Sequence, residues 1–377
     1  MHWTTNLIVC SFAPDFFSYS EATVSSDDIS TRKRDHIRIC AEDEVEAIHK
    51  TNLLDDIEFF HNSLPELSVD DIDLSTTFLD RSLRAPLLIT GMTGGAPQAA
   101  RINRDLAIIA QEFGLAFGVG SQRAMSDDPG LTETYQVREH APDIALLGNI
   151  GAVQAASLST DQAQALVEGI DADALCIHLN PGQELIQPEG DRDFRGCLDG
   201  IVRLVDELDR PVIVKETGCG LGPSVLDRLH QAGVQWVDTS GAGGTTWIGV
   251  ESRRAPEDAA DLGRLFWDWG VPTAASINYS VHRGFSVIGS GGLRTGYDAA
   301  CALALGADMA GMALPWLRAA HDDGVDGARQ FAGACIAALR TTLALTGSKT
   351  IAELQKAPKM IGPRLQRWIA ADPRPQG

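Results

Sequence analysis

A chain of 377 residues with 31 basic and 51 acidic side chains carries a formal charge of −20, which excludes broad electrostatic attraction to nucleic acid or to an anionic membrane surface. With 44% apolar residues and 37 glycines it fits a soluble α/β enzyme of one large domain, and neither a disordered nor a fibrous chain. Seven scattered cysteines without a CxxC pair predict reduced, cytoplasmic usage, and no apolar run approaches the ~20 residues of a membrane span.

Residues 1–30 show little periodicity and end in SYSEATVSSDDIS, so they read as a flexible extension ahead of a single domain over 31–377. The next stretch, TRKRDHIRIC, packs Arg32, Lys33, Arg34, His36 and Arg38 into seven residues. In so acidic a protein that knot is a candidate anion clamp. From Pro86 a rhythm sets in. Short apolar runs at 86–90, 116–119, 144–147, 174–177, 212–214, 236–237, 286–288 and 309–312 predict eight buried strands. Helical patterns fall at 98–113, 161–170, 198–208, 223–232, 296–305 and 328–345, several ending at a glycine (Gly114, Gly233, Gly306) as left-handed C-caps do. Eight strands alternating with helices close most naturally into a (β/α)₈ TIM barrel. The alternative, an open doubly wound sheet, normally carries GxGxxG after its first strand, and none is there. The longest gap, 241–285, predicts an added lid.

In a barrel the chemistry sits just after the strands. Those positions read GMTGG (91–95), GSQR (120–123), GN (148–149), HLNPGQE (178–184), KE (215–216), DTSGAGGTTW (238–247), GSGGLRTG (289–296) and ALP (313–315). Polar and glycine residues at all eight mouths are too regular for surface decoration. Glycines in the last two mouths expose backbone N–H groups and Arg294 adds a fixed charge, which predicts a phosphate cradle and hence a phosphorylated cofactor. Lys215, buried at a strand end, needs an anionic partner. A flavin supplies one, because a cation beside its N1/C2 edge stabilises the reduced anionic form, with Thr93, Ser121, Asn149, Ser240 and Thr245 as hydrogen-bonding groups around the ring.

The order and spacing of RKRDH, MTGG, GSQR, HLNPGQExIQPEGDRDF, VKE, DTSGAGGTTW and SGGLRTG, over about 31–362, resemble the type 2 isopentenyl-diphosphate Δ-isomerases. The resemblance implies an enzyme that interconverts isopentenyl and dimethylallyl diphosphate, using reduced FMN and Mg²⁺ with NADPH as reductant, in a homo-oligomer (tetramer or octamer). It assigns FMN to Gly91, Met92, Thr93, Ser121, Asn149, Lys215, Ser240, Thr245, Gly292, Leu293, Arg294, Ala313 and Leu314. Substrate falls to Arg32, Lys33, Ser121, Gln122, Arg123 and Gln183, and Mg²⁺ to Glu184. Gln183, His178 and Asn180 form the catalytic group, Gln183 orienting the reacting carbons while His178 and Asn180 help hold the diphosphate. The rival on the same barrel is an FMN-dependent oxidoreductase. A 2-hydroxy-acid oxidase wants a His and Arg pair near strand seven, and an inosine-monophosphate-dehydrogenase-like enzyme wants a cysteine after strand six, where this chain has none.

Overall fold

The computed structural model describes residues 26–373, with side chains from residue 31. Eight parallel strands close into a barrel: β1 (Leu87–Ile89), β2 (Ala116–Gly118), β3 (Leu146–Gly151), β4 (Ala174–Leu179), β5 (Val212–Glu216), β6 (Trp236–Asp238), β7 (Ser286–Ser290) and β8 (Met309–Met312), each paired to the next and β8 to β1. All eight expected runs are strands. The differences lie at the ends: β3 starts two residues late and runs on to Gly151, while β4, β5 and β7 extend by two. The added stretches each begin at a polar or glycine residue (Gly148, His178, Lys215, Gly289), where a reading keyed to apolar runs stops.

The two-residue period of a strand sorts each run into two packing sets. Leu87, Ile89, Phe117, Leu175, Ile177, Val212, Val214, Val237 and Val287 face the surrounding helices. Leu88, Ala116, Leu147, Ala174, Cys176, Ile213 and Ile288 fill the barrel, small residues interleaved with large ones. A hairpin (Thr76–Phe78 with Arg81–Leu83) plugs the lower end with Phe78 and Leu83, the Phe78 ring meeting Trp236 edge-on at 5.0 Å. Truncating such an aromatic plug costs on the order of 3–5 kcal/mol. Continuing the inward period upward brings Asn149, His178, Lys215, Asp238 and Ser290 to the open end, so the core turns polar where the strands stop.

Four helices matter for the site. Helix α1 (Ser26–Glu42) precedes the barrel and carries the basic knot; its first five residues are the last five of the expected extension, and residues 1–25 lie outside the described residues. The long β6–β7 connection holds α2 (Trp247–Ser252) and α3 (Glu257–Leu265) before the barrel's own α4 (Thr273–Val281), so the expected insertion is a helix pair, with α1 resting on α2. After β8 one helix runs Leu314–Thr346, kinked where Gly324 adopts φ 60°, ψ −137°. The expected helix at 328–345 is its second half, since Asp322, Asp323 and Gly324 hide the first half from a periodicity reading. Gly114, Gly233 and Gly306 all take positive φ at helix ends. A short antiparallel pair, Ile57–Phe59 with Lys359–Ile361, was too brief to read from sequence. Among the described residues no helix is long and apolar enough to cross a membrane.

Candidate active site

The open end of the barrel holds a cleft of two lobes that share Lys33, His36, Thr90, Met92, Thr217, Ser240, Trp247, Ser290 and Ala313. One lobe runs under Thr93, Thr245, Gly292, Leu293, Arg294 and Leu314; the other is lined by Arg32, Gly91, Ser121, Arg123, Asn149, His178, Asn180, Gln183, Glu184 and Lys215. Residues as far apart in sequence as Arg32 and Leu314 thus collapse onto one surface. Of the residues assigned to cofactor, substrate, metal or catalysis only Gln122 is not brought to it, and of the basic knot Arg34 and Arg38 stay exposed outside it. The Gln122 side chain is fully buried, donates to Leu166 O (2.8 Å) and accepts from Asn149 N (2.9 Å), so it joins β2 to β3 instead of meeting a ligand.

Helix α1 delivers its groups by simple periodicity. Lys33, His36, Ile37 and Cys40, three, four and seven residues apart, share one face and look into the first lobe. Burial, and then the nearby Arg32 and Arg123 charges, push the Lys33 ammonium down to about 8. Three cations, Arg32, Lys33 and Arg123, thus line one corner of the cleft, an arrangement that suits a polyanion. Arg32 approaches Glu189 (3.7 Å) and Arg123 approaches Asp191 (3.4 Å).

The groups after β4 are mutually organised. A single helical turn, Pro181–Glu184, follows His178-Leu179-Asn180 in place of the simple turn that Pro181-Gly182 suggests. Glu184 Oε1 accepts from Asn180 Nδ2 (2.6 Å) and Oε2 from Asp191 N (2.8 Å), while burial raises its carboxyl above the usual range. Among the described residues no cluster of three or more His, Cys, Asp or Glu side chains could hold a metal by itself, so a cation here must share its ligands with a bound anion and water. His178 Nδ1 lies 2.9 Å from Asn149 Oδ1, and Asn149 Nδ2 already donates to Val119 O (3.1 Å). The proton therefore sits on Nδ1, leaving Nε2 an acceptor. Burial, then Lys215 and Lys33, lower His178 to about 3, so the ring is neutral at pH 7.

Glu251, on α2, was not singled out by the sequence reading and is the hub of this lobe. It is fully buried; its Oε1 meets His36 Nε2 (2.8 Å) and accepts from Gln183 Nε2 (2.9 Å), and its Oε2 accepts from Arg254 Nη1 (2.7 Å). Gln187, its amide turned to satisfy its neighbours, donates to Glu251 (3.1 Å) and accepts from Arg32 (3.1 Å). Burial alone would raise this carboxyl, but His36, Arg254 and Gln183 together bring it down to about 2. Its helix mate Trp247 lines both lobes and meets the His36 ring edge-on at 5.1 Å. The four-residue spacing of Trp247 and Glu251 was the available signal, masked because the segment read as part of a long loop.

The first lobe, with Lys215 and Gly91 on the adjoining wall of the second, has the makings of a flavin site. Thr93 lines the lobe, and its Oγ1 is buried with no partner among the described residues, so its hydrogen-bonding capacity is unspent. Lys215 Nζ donates to Glu216 O (2.8 Å) at the cleft floor. Ser240 sits at φ 33°, a conformation a non-glycine residue holds only under constraint; its N–H donates to Ser290 Oγ (3.1 Å) and its carbonyl accepts from Gly220 N (3.1 Å). Gly91 has no room for a side chain, since a Cβ would lie 2.1 Å from Val119 O. Arg294, expected as a free cation for phosphate, already pairs with Glu46 (2.8 Å) and donates to Thr245 Oγ1 (3.3 Å). The carbonyls of Gly291, Gly292 and Leu293 accept from Thr273, Asn52 and Arg294, which leaves their N–H groups as the less committed part of the loop.

A closed parallel barrel whose mouth joins a glycine-lined loop to a cationic corner defines an FMN-type (β/α)₈ enzyme. Residues 192–360 match the model of the FMN-dependent dehydrogenase family. Solved mandelate oxidases share the architecture: one bearing a monooxide FMN adduct superposes with a TM-score of 0.62 over 86% of this chain and 95% of its own at 16% identity, and one with (S)-2-phenylpropionate with 0.60 over 90% and 99% at 15%. At that identity the likeness speaks for the fold alone. Sequence relatives are far nearer. The chain is 46% identical over 343 residues to the isopentenyl-diphosphate delta-isomerase of Methanothermobacter thermautotrophicus, covering 90% of this chain and 96% of that one. It is 45% identical to that of Nostoc sp. (88% and 96%) and 43% to that of Pyrococcus abyssi (90% and 94%). The chain belongs to the isopentenyl-diphosphate delta-isomerase family.

Proposed function

We propose that this enzyme transposes the double bond of isopentenyl diphosphate to give dimethylallyl diphosphate, with reduced FMN and Mg²⁺ bound in the two lobes of the cleft. The observation that carries the reading is the joining of the cationic corner and Glu184 to the buried Gln183–Glu251–His36 chain, beside an unspent Thr93 hydroxyl and Lys215. Gly91, Met92, Thr93, Ser121, Asn149, Lys215, Ser240, Thr245, the 292–294 loop, Ala313 and Leu314 are the residues that would hold FMN. When bound, reduced FMN supplies an electron-rich face for the positive charge that develops at C3 and a proton donor and acceptor at N5.

The protein's own groups do the rest. Arg32, Lys33 and Arg123 fix the diphosphate by charge-assisted hydrogen bonds, and Glu184 would hold Mg²⁺ against its oxygens, a single carboxylate being the usual share for this ion. Neutral His178 presents an Nε2 lone pair, which can accept a hydrogen bond but cannot donate one to the diphosphate, and Asn180 positions Glu184. Gln183 commits its amide N–H to Glu251 and its carbonyl oxygen accepts from Asn180 Nδ2 (3.4 Å), which fixes the amide at the cleft where it would orient the allylic carbons. Ionised Glu251 also favours positive charge nearby, and burial under α1 and α2 excludes water from that charge. NADPH as reductant and a homo-oligomer, tetrameric or octameric, carry over from the family likeness as parts of the same proposal. The test is turnover of isopentenyl diphosphate by the dithionite-reduced holoenzyme with and without Mg²⁺. Activity in the oxidised, metal-free state would overturn the reading.

A further inference from the structure

One buried carboxylate at the cleft floor has no part in the chemistry above. Asp238 ends β6 with 2% of its surface exposed, lines the cleft, and stands in register with Lys215 on β5; His178 is the register partner of Lys215 on the other side. Neighbouring residues in register on parallel strands point to the same face, so the three side chains form a row across the floor. The row is charge-ordered. His178 is neutral, Lys215 is a cation, and Asp238 is held in place by the Ser290 hydroxyl and by Ser240 N (3.3 Å). Burial raises the Asp238 carboxyl, and the Lys215 charge opposes that rise. Lys215 Nζ donates to Glu216 O and, among the described residues, makes no direct ion pair with Asp238, so the two groups act on each other across the cleft floor through their register, not by contact.

We propose that Asp238 is a positioning residue that sets how much of the Lys215 charge reaches the flavin, and thereby limits the stabilisation of its anionic reduced form. The inference rests on the reading of this cleft as an FMN site. Reduction takes two electrons and one proton from an added reductant such as dithionite, converting neutral oxidised ring to a ring of charge −1, so the term that matters is charge near the ring. An ionised Asp238 offsets part of the Lys215 charge at the ring; a neutral residue in its place leaves that charge whole.

The test is the midpoint potential of the bound flavin in the holoenzyme, by dye-coupled reductive titration. Asp238→Asn keeps shape and hydrogen bonding and removes the charge, and is expected to favour reduced over oxidised flavin by about tenfold relative to wild type, a rise of about 30 mV for a two-electron couple. Lys215→Met is expected to lower the potential, and Asp238→Asn in that background to move it no further. If Asp238→Asn does not fold, Asp238→Ser, a smaller neutral group beside Ser290, must give the same sign. An unchanged or lowered potential in a yellow variant, or a rise that persists without Lys215, overturns the inference alone. A wild-type protein that stays colourless after FMN reconstitution overturns the site reading beneath it.

Discussion

Replacing Glu251 by Gln removes one charge and almost no volume at the centre of the substrate lobe. The carboxylate accepts from His36, Gln183, Arg254 and Gln187; an amide puts an N–H where one of these donors points and leaves Arg254 less compensated. Its fall from the usual 4.5 to about 2 corresponds to about 3 kcal/mol of interaction favouring the ionised form. The sign follows from the depressed folded-state value. The stabilisation is complete well above 4.5, shrinks as the unfolded chain begins to take up the proton, and is lost as pH falls through about 2. At pH 7 Glu251→Gln should therefore unfold about 3 kcal/mol more easily in urea, and at pH 4 the gap should be narrower by just under about 1 kcal/mol. It should also keep its FMN while losing most of kcat, because Gln183 is no longer oriented. A stability gap that is absent at pH 7, or that widens toward pH 4, would refute the reasoning.

If charged Lys33 is needed for the diphosphate, kcat/KM should hold below about pH 8 and fall above it, and Lys33→Arg should carry that limb to higher pH. A high-pH limb that Lys33→Arg leaves in place would assign it elsewhere. Glu184→Gln should retain FMN and raise the Mg²⁺ half-saturation at least tenfold, whereas Gln183→Ala should keep the Mg²⁺ dependence and lose kcat; a magnesium titration of each under reducing conditions separates them. Gly91→Ala should yield a protein poor in flavin, since its Cβ meets Val119 O, and flavin absorbance per chain reads this directly. Removing residues 1–25 should leave KM within about twofold, while Arg32→Ala should raise it, with the ~1 kcal/mol or more of a charge-assisted hydrogen bond as the guide.

The barrel was legible because its strands are buried on both faces and read as apolar runs, and because each run stops at polar or glycine residues. Strand ends were misjudged where that polar set is still in the ladder, as with Asn149 and His178, whose backbone pairs while the side chain belongs to the mouth. Most of the candidate site was legible for the same reason. Glu251 was not, because its role depends on the approach of α1 to α2, elements 215 residues apart at His36 and Glu251, which no local pattern encodes. Gln122 misled because a buried cross-link between strands looks, in sequence, like a neighbour of Arg123. Arg294 read as free charge because nothing local announces Glu46, 248 residues away.

The central claim is that this barrel uses a reduced flavin without net oxidation of the substrate. The most direct measurement follows isopentenyl diphosphate under anaerobic conditions with stoichiometric dithionite and Mg²⁺. The account predicts a yellow protein that bleaches on reduction and only then gives many turnovers to dimethylallyl diphosphate, with the flavin still reduced at the end. Turnover by the oxidised enzyme, or one equivalent of flavin oxidised or reduced per product, would contradict it.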